Sequence, residues 1–391
     1  MTGVPSLTYI DTDAALADLT QRLADEPLIA LDTESNSLFA YREQVCLIQI
    51  STRSADYVLD PLAALDVRRL GPLLANPASE KVFHAAEYDL ICLKRDYGFV
   101  INNLFDTMVA ARVCGYKNIG LGTLLGEIAG VTLDKSHQRD DWGKRPLPAD
   151  ALRYAQMDTH YLPQLHDYFS GRLTELGRWE EARESFDEMA AVAPGVRPEF
   201  DPEGFWRIAQ PNQLSRREAA ILRELVIFRD EMARQRNLPP FKILNDKGLV
   251  GLAQAAPTTL DGLEKVDGVG PGHVRRYGQA LLAAIRRGQS ARLPTPPPPE
   301  RPADPVLVER YSALREWRKE RAQARGVESD VIVSRDALWE LAGRMPATTE
   351  ELRTISSLGA WRAARYGDEI LAVLDRFRPP ARTNGTGEGK S

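Results

Sequence analysis

The sequence is poor in cysteine and has no long hydrophobic run. Its 391 residues include three cysteines, Cys46, Cys92 and Cys114, an odd set without CxxC spacing. They lie in apolar segments, so we interpret them as reduced core residues. No apolar stretch approaches the roughly 18 residues of a membrane span, and no basic segment followed by an apolar one marks a signal peptide. We therefore expect a soluble, cytoplasmic protein that does not associate with membranes.

The chain is long enough for several domains, and its charge is unevenly distributed. The net charge is -5, but residues 1–200 hold 19 Lys and Arg against 30 Asp and Glu, a balance of -11. Residues 201–391 hold 31 against 25, a balance of +6. An acidic half that attracts metal ions and a mildly basic half that meets a polyanion fit this pattern. Chance variation between domains explains it equally well.

The first candidate site residues are two acids at the end of an apolar run. Leu28–Leu31 has the composition of a buried strand, and the two-residue period of a strand places Asp32 and Glu34 on one face. Buried carboxylates cost free energy unless they are paired or bind a metal ion. The alternative is a strand that ends in a solvated acidic turn.

Two later segments supply further groups of the same kind. Tyr154 and Asp158 are four residues apart in a stretch with helical spacing, Ala149 to Tyr168, and therefore share a helix face. Asp89 lies in the first turn of a second predicted helix, Glu87 to Tyr97. Taken alone, each group could be an ordinary surface residue, and Asp89 could be a solvated acid favoured by the helix dipole.

The order of these segments resembles a known family. LIALDTES, HAAEYDL and YAQMDTHY resemble the Exo I, Exo II and Exo III motifs of the DEDD exonuclease superfamily, tyrosine subclass, and residues 131–147 are similar to ribonuclease D. The resemblance implies a ribonuclease H-like α/β exonuclease domain, a mixed sheet flanked by helices. It also implies that Asp32, Glu34, Asp89 and Asp158 bind metal and that Tyr154 positions the attacking water.

The resemblance further implies a 3'-5' exoribonuclease that releases nucleoside 5'-monophosphates. Two divalent cations, Mg²⁺ or Mn²⁺, are the expected cofactors, because carboxylate oxygens suit these ions and zinc favours His and Cys. The expected substrate is RNA with a free 3' end, with tRNA precursors as the first candidates, and no protein partner is expected. A DNA exonuclease of the same superfamily and a noncatalytic nucleic-acid-binding protein are the alternatives.

The sequence also predicts the order of the domains. Strands are expected at Leu28–Thr33, Val45–Ser51, Asp56–Asp60 and Lys81–His84, and the hairpin-like spacing of the first ones argues against a purely parallel sheet. The exonuclease domain is expected over residues 1–200. A proline-rich spacer is expected at residues 293–305, because PTPPPP cannot continue a helix.

An internal repeat flanks the proline-rich spacer. Identities recur at an offset of 89 residues, for example Leu225 with Leu314 and Tyr277 with Tyr366. The apolar members have helical spacing, so each copy is predicted to be a small all-α domain, over residues 210–292 and 306–378. Both copies resemble the HRDC domain of ribonuclease D relatives and RecQ helicases. Residues 379–391 are expected to form a disordered tail.

Two segments are candidates for contact with nucleic acid. In DGVGPG the glycines, Gly270 among them, allow backbone amides to approach a phosphate, and Arg275 and Arg276 follow. The alternative is a tight turn beside solvated arginines. Lys144 and Arg145 follow a tryptophan that could stack on RNA, although a packed tryptophan beside a solvated basic turn is equally compatible.

Gln49 is a further candidate for the floor of the site, because it follows the apolar run Val45–Ile48.

Overall fold

A six-stranded mixed sheet organises the N-terminal half of the protein. The computed structural model describes residues 5–196, 199–209, 213–298 and 304–378. The order across the sheet is β1-β4-β3-β2-β5-β6, with β3 antiparallel to β2 and β4 and the other neighbours parallel. The predicted mixed sheet is therefore confirmed. The strands are β1 Leu7–Ile10, β2 Leu28–Ser35, β3 Val45–Ser51, β4 Asp56–Leu59, β5 Glu80–Phe83 and β6 Leu104–Asp106.

Helices cover both faces of this sheet. Ile29 and Leu31 of β2 are buried in one core with leucines of α1 and α3, whereas Leu28 and Ala30 are buried in another with α4 and α7. The alternation follows from the two-residue period of the strand. The helices are α1 Asp13–Leu23, α2 Gly71–Ala75, α3 Glu87–Tyr97, α4 Thr107–Val113, α5 Leu121–Ala129, α6 Ala149–His160, α7 Leu162–Leu176 and α8 Trp179–Ala190.

The helical stretch predicted from Ala149 to Tyr168 consists of two helices. α6 ends at His160, and α7 begins at Leu162 with Pro163 in its first turn. Proline has no backbone N–H and its ring clashes with the preceding turn, so it is accommodated at the start of a helix and not in its interior. The predicted helical structure is therefore confirmed here, but the expectation of one continuous helix is wrong.

The C-terminal half contains two helical units that match the predicted repeat. The bounds of α14, α15 and α16 are those of α9, α10 and α11 shifted by 89 residues. None of the described helices is long and apolar enough to cross a lipid bilayer. The first copy contains α9 Arg216–Arg236, α10 Pro240–Ile243, α11 Asp246–Ala255, α12 Leu260–Glu264 and α13 Pro271–Ser290, and the second α14 Pro305–Arg325, α15 Ser329–Ile332, α16 Arg335–Arg344, α17 Thr349–Leu352 and α18 Ala360–Asp375.

The domain boundaries given above stay predictions. Residues 292–298 form neither helix nor strand, as expected for the start of the spacer. Residues 210 and 299–303 and the predicted tail, 379–391, lie outside the described residues.

Both copies contact the N-terminal half through specific polar groups. In the first copy, Asp230 of α9 accepts a hydrogen bond of 2.7 Å from the Tyr41 hydroxyl. In the second copy, Arg325 at the end of α14 makes a two-pronged ion pair with Glu181 of α8, whose side chain is fully buried. Planar guanidinium and carboxylate groups match in such pairs, so the second copy is held in a defined orientation.

The start of α18 makes a second contact with α8. The backbone N–H groups of Trp361 and Arg362 donate to the Glu184 carboxylate, and the Arg362 guanidinium lies 2.9 Å from it. Gly359 has a φ of +80°, and a Cβ there would lie 2.3 Å from the Glu184 carboxyl carbon. Only glycine therefore permits this approach.

Candidate active site

The two acids of β2 lie where that strand leaves the core. Leu28–Leu31 are buried, whereas Asp32 to Ser35 are partly exposed. β2 occupies the centre of the sheet between β3 and β5, so Asp32 and Glu34 sit on one face of its most protected strand. The structure thus places these carboxylates together at the edge of the core, as predicted.

α6 brings the third acid to the same face. Ala151 and Ala155 of α6 are buried against β3 and β4, and Ser51 of β3 lies 2.7 Å from Thr159 of α6, hydroxyl to hydroxyl. With this packing, carboxylate oxygens of Asp32, Glu34 and Asp158 all lie within 4.8 Å of one another. Ligand oxygens on opposite sides of a Mg²⁺ ion are about 4.2 Å apart. Adjacent ligand oxygens of such an ion are closer, about 3 Å apart, so the three side chains must draw together to share one cation.

Asp89 reaches this region from the opposite face of the sheet. It lies on α3, which packs on the Ile29 and Leu31 side of β2. Its carboxylate accepts hydrogen bonds from the Thr33 hydroxyl and, at 3.1 Å, from the Thr33 backbone N–H. The Asp89 charge raises the pKa of Asp32 and of Asp158, so the fourth acid belongs to the same electrostatic cluster.

Burial and mutual repulsion dominate the electrostatics of the cluster. Burial, followed by the charges of the other acids, raises the pKa of Asp32 well above its usual range and that of Glu34 to about 9. Burial also raises the pKa of Asp89 and of Asp158 to about 7. Closely spaced buried carboxylates resist ionisation together, and a bound cation would remove that penalty.

Tyr154 lies one helical turn before Asp158 on α6. Its ring is partly buried, with the rings of His137 and Trp142 each 6.0 Å away between centroids. Burial, with the neighbouring charges of Asp158, Glu34 and Asp32, raises the pKa of the Tyr154 phenol. The phenol therefore keeps its proton at neutral pH and can donate a hydrogen bond.

Comparison with known proteins identifies the family of this chain. Residues 7–174 match the family model described as 3'-5' exonuclease, and residues 218–285 and 308–374 match the HRDC domain. Ribonuclease D of Acidiphilium cryptum is 33% identical over 376 residues, which cover 94% of this chain and 93% of that protein. The chain belongs to the ribonuclease D family. The predicted exonuclease domain and the HRDC resemblance of both repeats are confirmed.

Solved structures of the family share this architecture. Escherichia coli RNase D, described as an exoribonuclease involved in structured RNA processing, is similar with a TM-score of 0.67 and 26% identity, covering 96% of this chain and all of that one. The catalytic core of RRP6 from Trypanosoma brucei is similar with a TM-score of 0.64 and 29% identity, covering 72% and 79%.

In the segment that contains Lys144 and Arg145, the arginine and the preceding tryptophan are engaged inside the protein, and only the lysine is exposed. All five N–H donors of the Arg145 guanidinium have acceptors inside the protein: both carboxylate oxygens of Asp60 and three backbone carbonyls. A phosphate contact would have to displace one of these acceptors, so the structure does not favour the RNA contact of Arg145, which stays a prediction. Trp142 is 2% exposed and packs in the core, which leaves no face for a base. Lys144 is exposed and stays a candidate.

The Gly-rich turn of the first HRDC copy is on the surface. Gly270 precedes α13, and its N–H donates to the His273 ring at 3.1 Å. Arg275 and Arg276 are exposed in the first two turns of that helix. Their proposed contact with RNA therefore meets no steric obstacle, and it stays a prediction.

Sequence reasoning missed two residues that orient the site. The two-residue period of the strand points Thr33 away from its neighbours Asp32 and Glu34, yet Thr33 holds Asp89. Asp106 is fully buried and accepts from the N–H groups of Met108 and Val109 in α4 and of Ala86 just before α3. An Asp directly before a helix is a known N-cap signal, but the bond to Ala86 spans 20 residues and leaves no local signature.

Proposed function

We propose that this protein hydrolyses RNA stepwise from a free 3' end at the cluster of Asp32, Glu34, Asp89 and Asp158, and releases nucleoside 5'-monophosphates. Membership of the ribonuclease D family supports a 3'-5' exoribonuclease. The observation that carries the site is the convergence of three carboxylates within 4.8 Å from β2 and α6.

The donor set fits two Mg²⁺ or Mn²⁺ ions. Every candidate ligand is a carboxylate oxygen, the donor that these hard cations prefer. Asp32, Glu34 and Asp158 would hold one ion, and Asp32 and Asp89 the other. Bound ions would lower the pKa of a coordinated water and offset charge on the departing 3' oxygen.

The side chains have separate proposed tasks around the scissile phosphate. Asp32 is a proposed ligand of both ions, so the orientation of its carboxylate affects both. Tyr154 keeps its phenolic proton and donates a hydrogen bond that orients the attacking water. Thr33 holds Asp89 by two hydrogen bonds to one oxygen, which leaves the second oxygen for coordination.

The substrate is proposed to be structured RNA, with tRNA precursors as the first to be tested. Support comes from Escherichia coli RNase D, which is described as acting in structured RNA processing. Gly270, Arg275, Arg276 and Lys144 are the proposed backbone contacts. The cytoplasmic location and the absence of a protein partner stay predictions.

A labelled oligonucleotide tests the direction and the chemistry. RNA labelled at its 3' nucleotide should release that nucleotide as a 5'-monophosphate, and the same RNA blocked at its 3' end should resist. Equal cleavage of both would refute the exonuclease assignment. A DNA strand of the same sequence decides between the proposed ribonuclease and a DNA exonuclease.

Variants of the cluster test the site. Asp32→Ala should lose nearly all activity, and Tyr154→Phe should lose most of it, because a phenyl ring cannot orient water. Asp18→Ala is the matched control, since Asp18 is an exposed acid on α1. Wild-type activity in Asp32→Ala would reject this site.

A further inference from the structure

Gln49 is a buried polar side chain without a partner. It lies in β3 with 0% of its surface exposed, and neither its Nε2 nor its Oε1 has a hydrogen-bond partner among the described residues. A primary amide offers two donors and two lone pairs, and burying all of them unsatisfied is costly. Such a residue in a well-packed strand needs a physical explanation.

The strand register places Gln49 beside the acidic cluster. Gln49 of β3 pairs directly with Asp32 of β2 in the antiparallel ladder. Side chains of directly opposed residues project from the same face, with Cβ atoms about 5 Å apart. The amide is therefore the immediate cross-strand neighbour of the acid that is proposed to serve both metal ions.

α6 packs on the face of β3 that carries Gln49. Leu47 and Ser51 share the face of Gln49, because they lie two residues on either side of it. Leu47 is buried against Ala155 of α6, and the Ser51 hydroxyl lies 2.7 Å from that of Thr159. Gln49 thus lies beside Asp32 and under the helix that carries Tyr154 and Asp158.

We infer that Gln49 is a positioning residue whose Nε2 donates a hydrogen bond to the Asp32 carboxylate when that carboxylate binds a divalent cation. The inference rests on the proposed function. A carboxylate only accepts hydrogen bonds, so the amide donor is complementary to it. Unlike lysine or arginine, glutamine adds no charge that competes with the cation. The bond would fix the Asp32 rotamer and direct the remaining lone pairs toward the metal site.

Manganese binding tests this role without depending on turnover. The full-length protein in metal-free buffer is titrated with Mn²⁺, and the free ion is followed by electron paramagnetic resonance. Gln49→Met removes the amide at similar volume, and we expect the Mn²⁺ dissociation constant to rise about tenfold or more. The melting temperature in EDTA should stay equal or rise, because an unsatisfied amide has been removed.

Ser51→Ala is the matched control. It removes a hydrogen bond from the same face of β3, under the same helix. Ser51 lies two residues beyond Gln49, however, and pairs with Ala30 and not with Asp32. We expect a lower melting temperature and an Mn²⁺ dissociation constant within about threefold of wild type. If Gln49 has only a structural role, Gln49→Met should likewise lower the melting temperature and leave the Mn²⁺ dissociation constant within about threefold of wild type. That result would overturn the inference.

Two further variants keep the test decisive. Gln49→Asn keeps the amide but shortens the side chain by one methylene, which moves the amide away from Asp32. This variant should fold and bind Mn²⁺ more weakly than wild type. Wild-type affinity would overturn the inference. Asp32→Ala separates the two claims. If Asp32→Ala keeps wild-type Mn²⁺ binding, the proposed metal site fails. If Asp32→Ala loses binding while Gln49→Met does not, only the role of Gln49 fails.

Discussion

Replacing Thr33 by valine removes one of the two hydrogen bonds that hold the Asp89 carboxylate. The hydroxyl bond is lost, whereas the backbone N–H at 3.1 Å remains. Valine has nearly the shape of threonine, so packing of β2 against α3 is preserved. The change therefore addresses the orientation of Asp89 and leaves the fold intact.

The expected effect follows from the strength of a charge-assisted hydrogen bond. Such bonds contribute about 1.5 to 3 kcal/mol. If that energy serves to hold Asp89 in its productive orientation, its loss lowers kcat by about ten- to one-hundred-and-fifty-fold. The retained backbone bond limits the freedom of the carboxylate, so we expect about ten- to thirtyfold at saturating Mg²⁺.

The assay is hydrolysis of a 3'-labelled oligoribonucleotide under single-turnover conditions. Thr33→Ser is the control, because it retains the hydroxyl, and it should stay within about threefold of wild type. A valine variant as active as the serine variant would show that the backbone N–H alone fixes Asp89. The assignment of Thr33 as an orienting residue would then be wrong.

Other contacts give further expectations. Asp106→Ala should lower stability by about 3 kcal/mol in urea unfolding, because it removes the acceptor of three N–H groups, two of them buried; an unchanged midpoint would contradict this. Gly359→Ala should displace Glu184 and increase hydrogen exchange in α18, whereas Gly98→Ala, also at positive φ but with open space around its Cβ, should not. Burial lowers the pKa of Lys81 to about 8, so between about pH 8 and 10 the unfolded state binds more protons at this group, and the contribution of Lys81 to stability should rise with pH there. In urea unfolding, the stability of wild type relative to Lys81→Met should therefore be higher at about pH 10 than at about pH 8, and an unchanged difference would contradict this.

The four inner strands of the sheet were predictable from the sequence, and the two edge strands were missed. β3 coincides with its predicted range, Val45–Ser51, because all seven residues are buried. β1 and β6 contain four and three residues, and neither shows the run of buried apolar residues that identifies β3. Their places at the two edges of the sheet are set by long-range pairing, which no local pattern records.

The site was predictable in its residue types and not in its supporting contacts. The two-residue period identified the shared face of Asp32 and Glu34. It also excluded Thr33 from that face, and only the tertiary packing of α3 shows that Thr33 meets Asp89. The same limitation explains Arg145, whose carboxylate partner lies 85 residues away in the sequence.

The two HRDC copies use equivalent helix ends differently. In the second copy the start of α18 is occupied by the Glu184 carboxylate, which accepts from two backbone N–H groups. The 89-residue offset places the start of α13, after Gly270, at the same position in the first copy. A carboxylate and a phosphate satisfy a helix N-terminus by the same physics, through oxygen acceptors and negative charge. In the first copy that end lies at the surface, but the His273 N–H donates to the Gly270 carbonyl and the Gly270 N–H to the His273 ring, so a phosphate there would compete with these internal bonds.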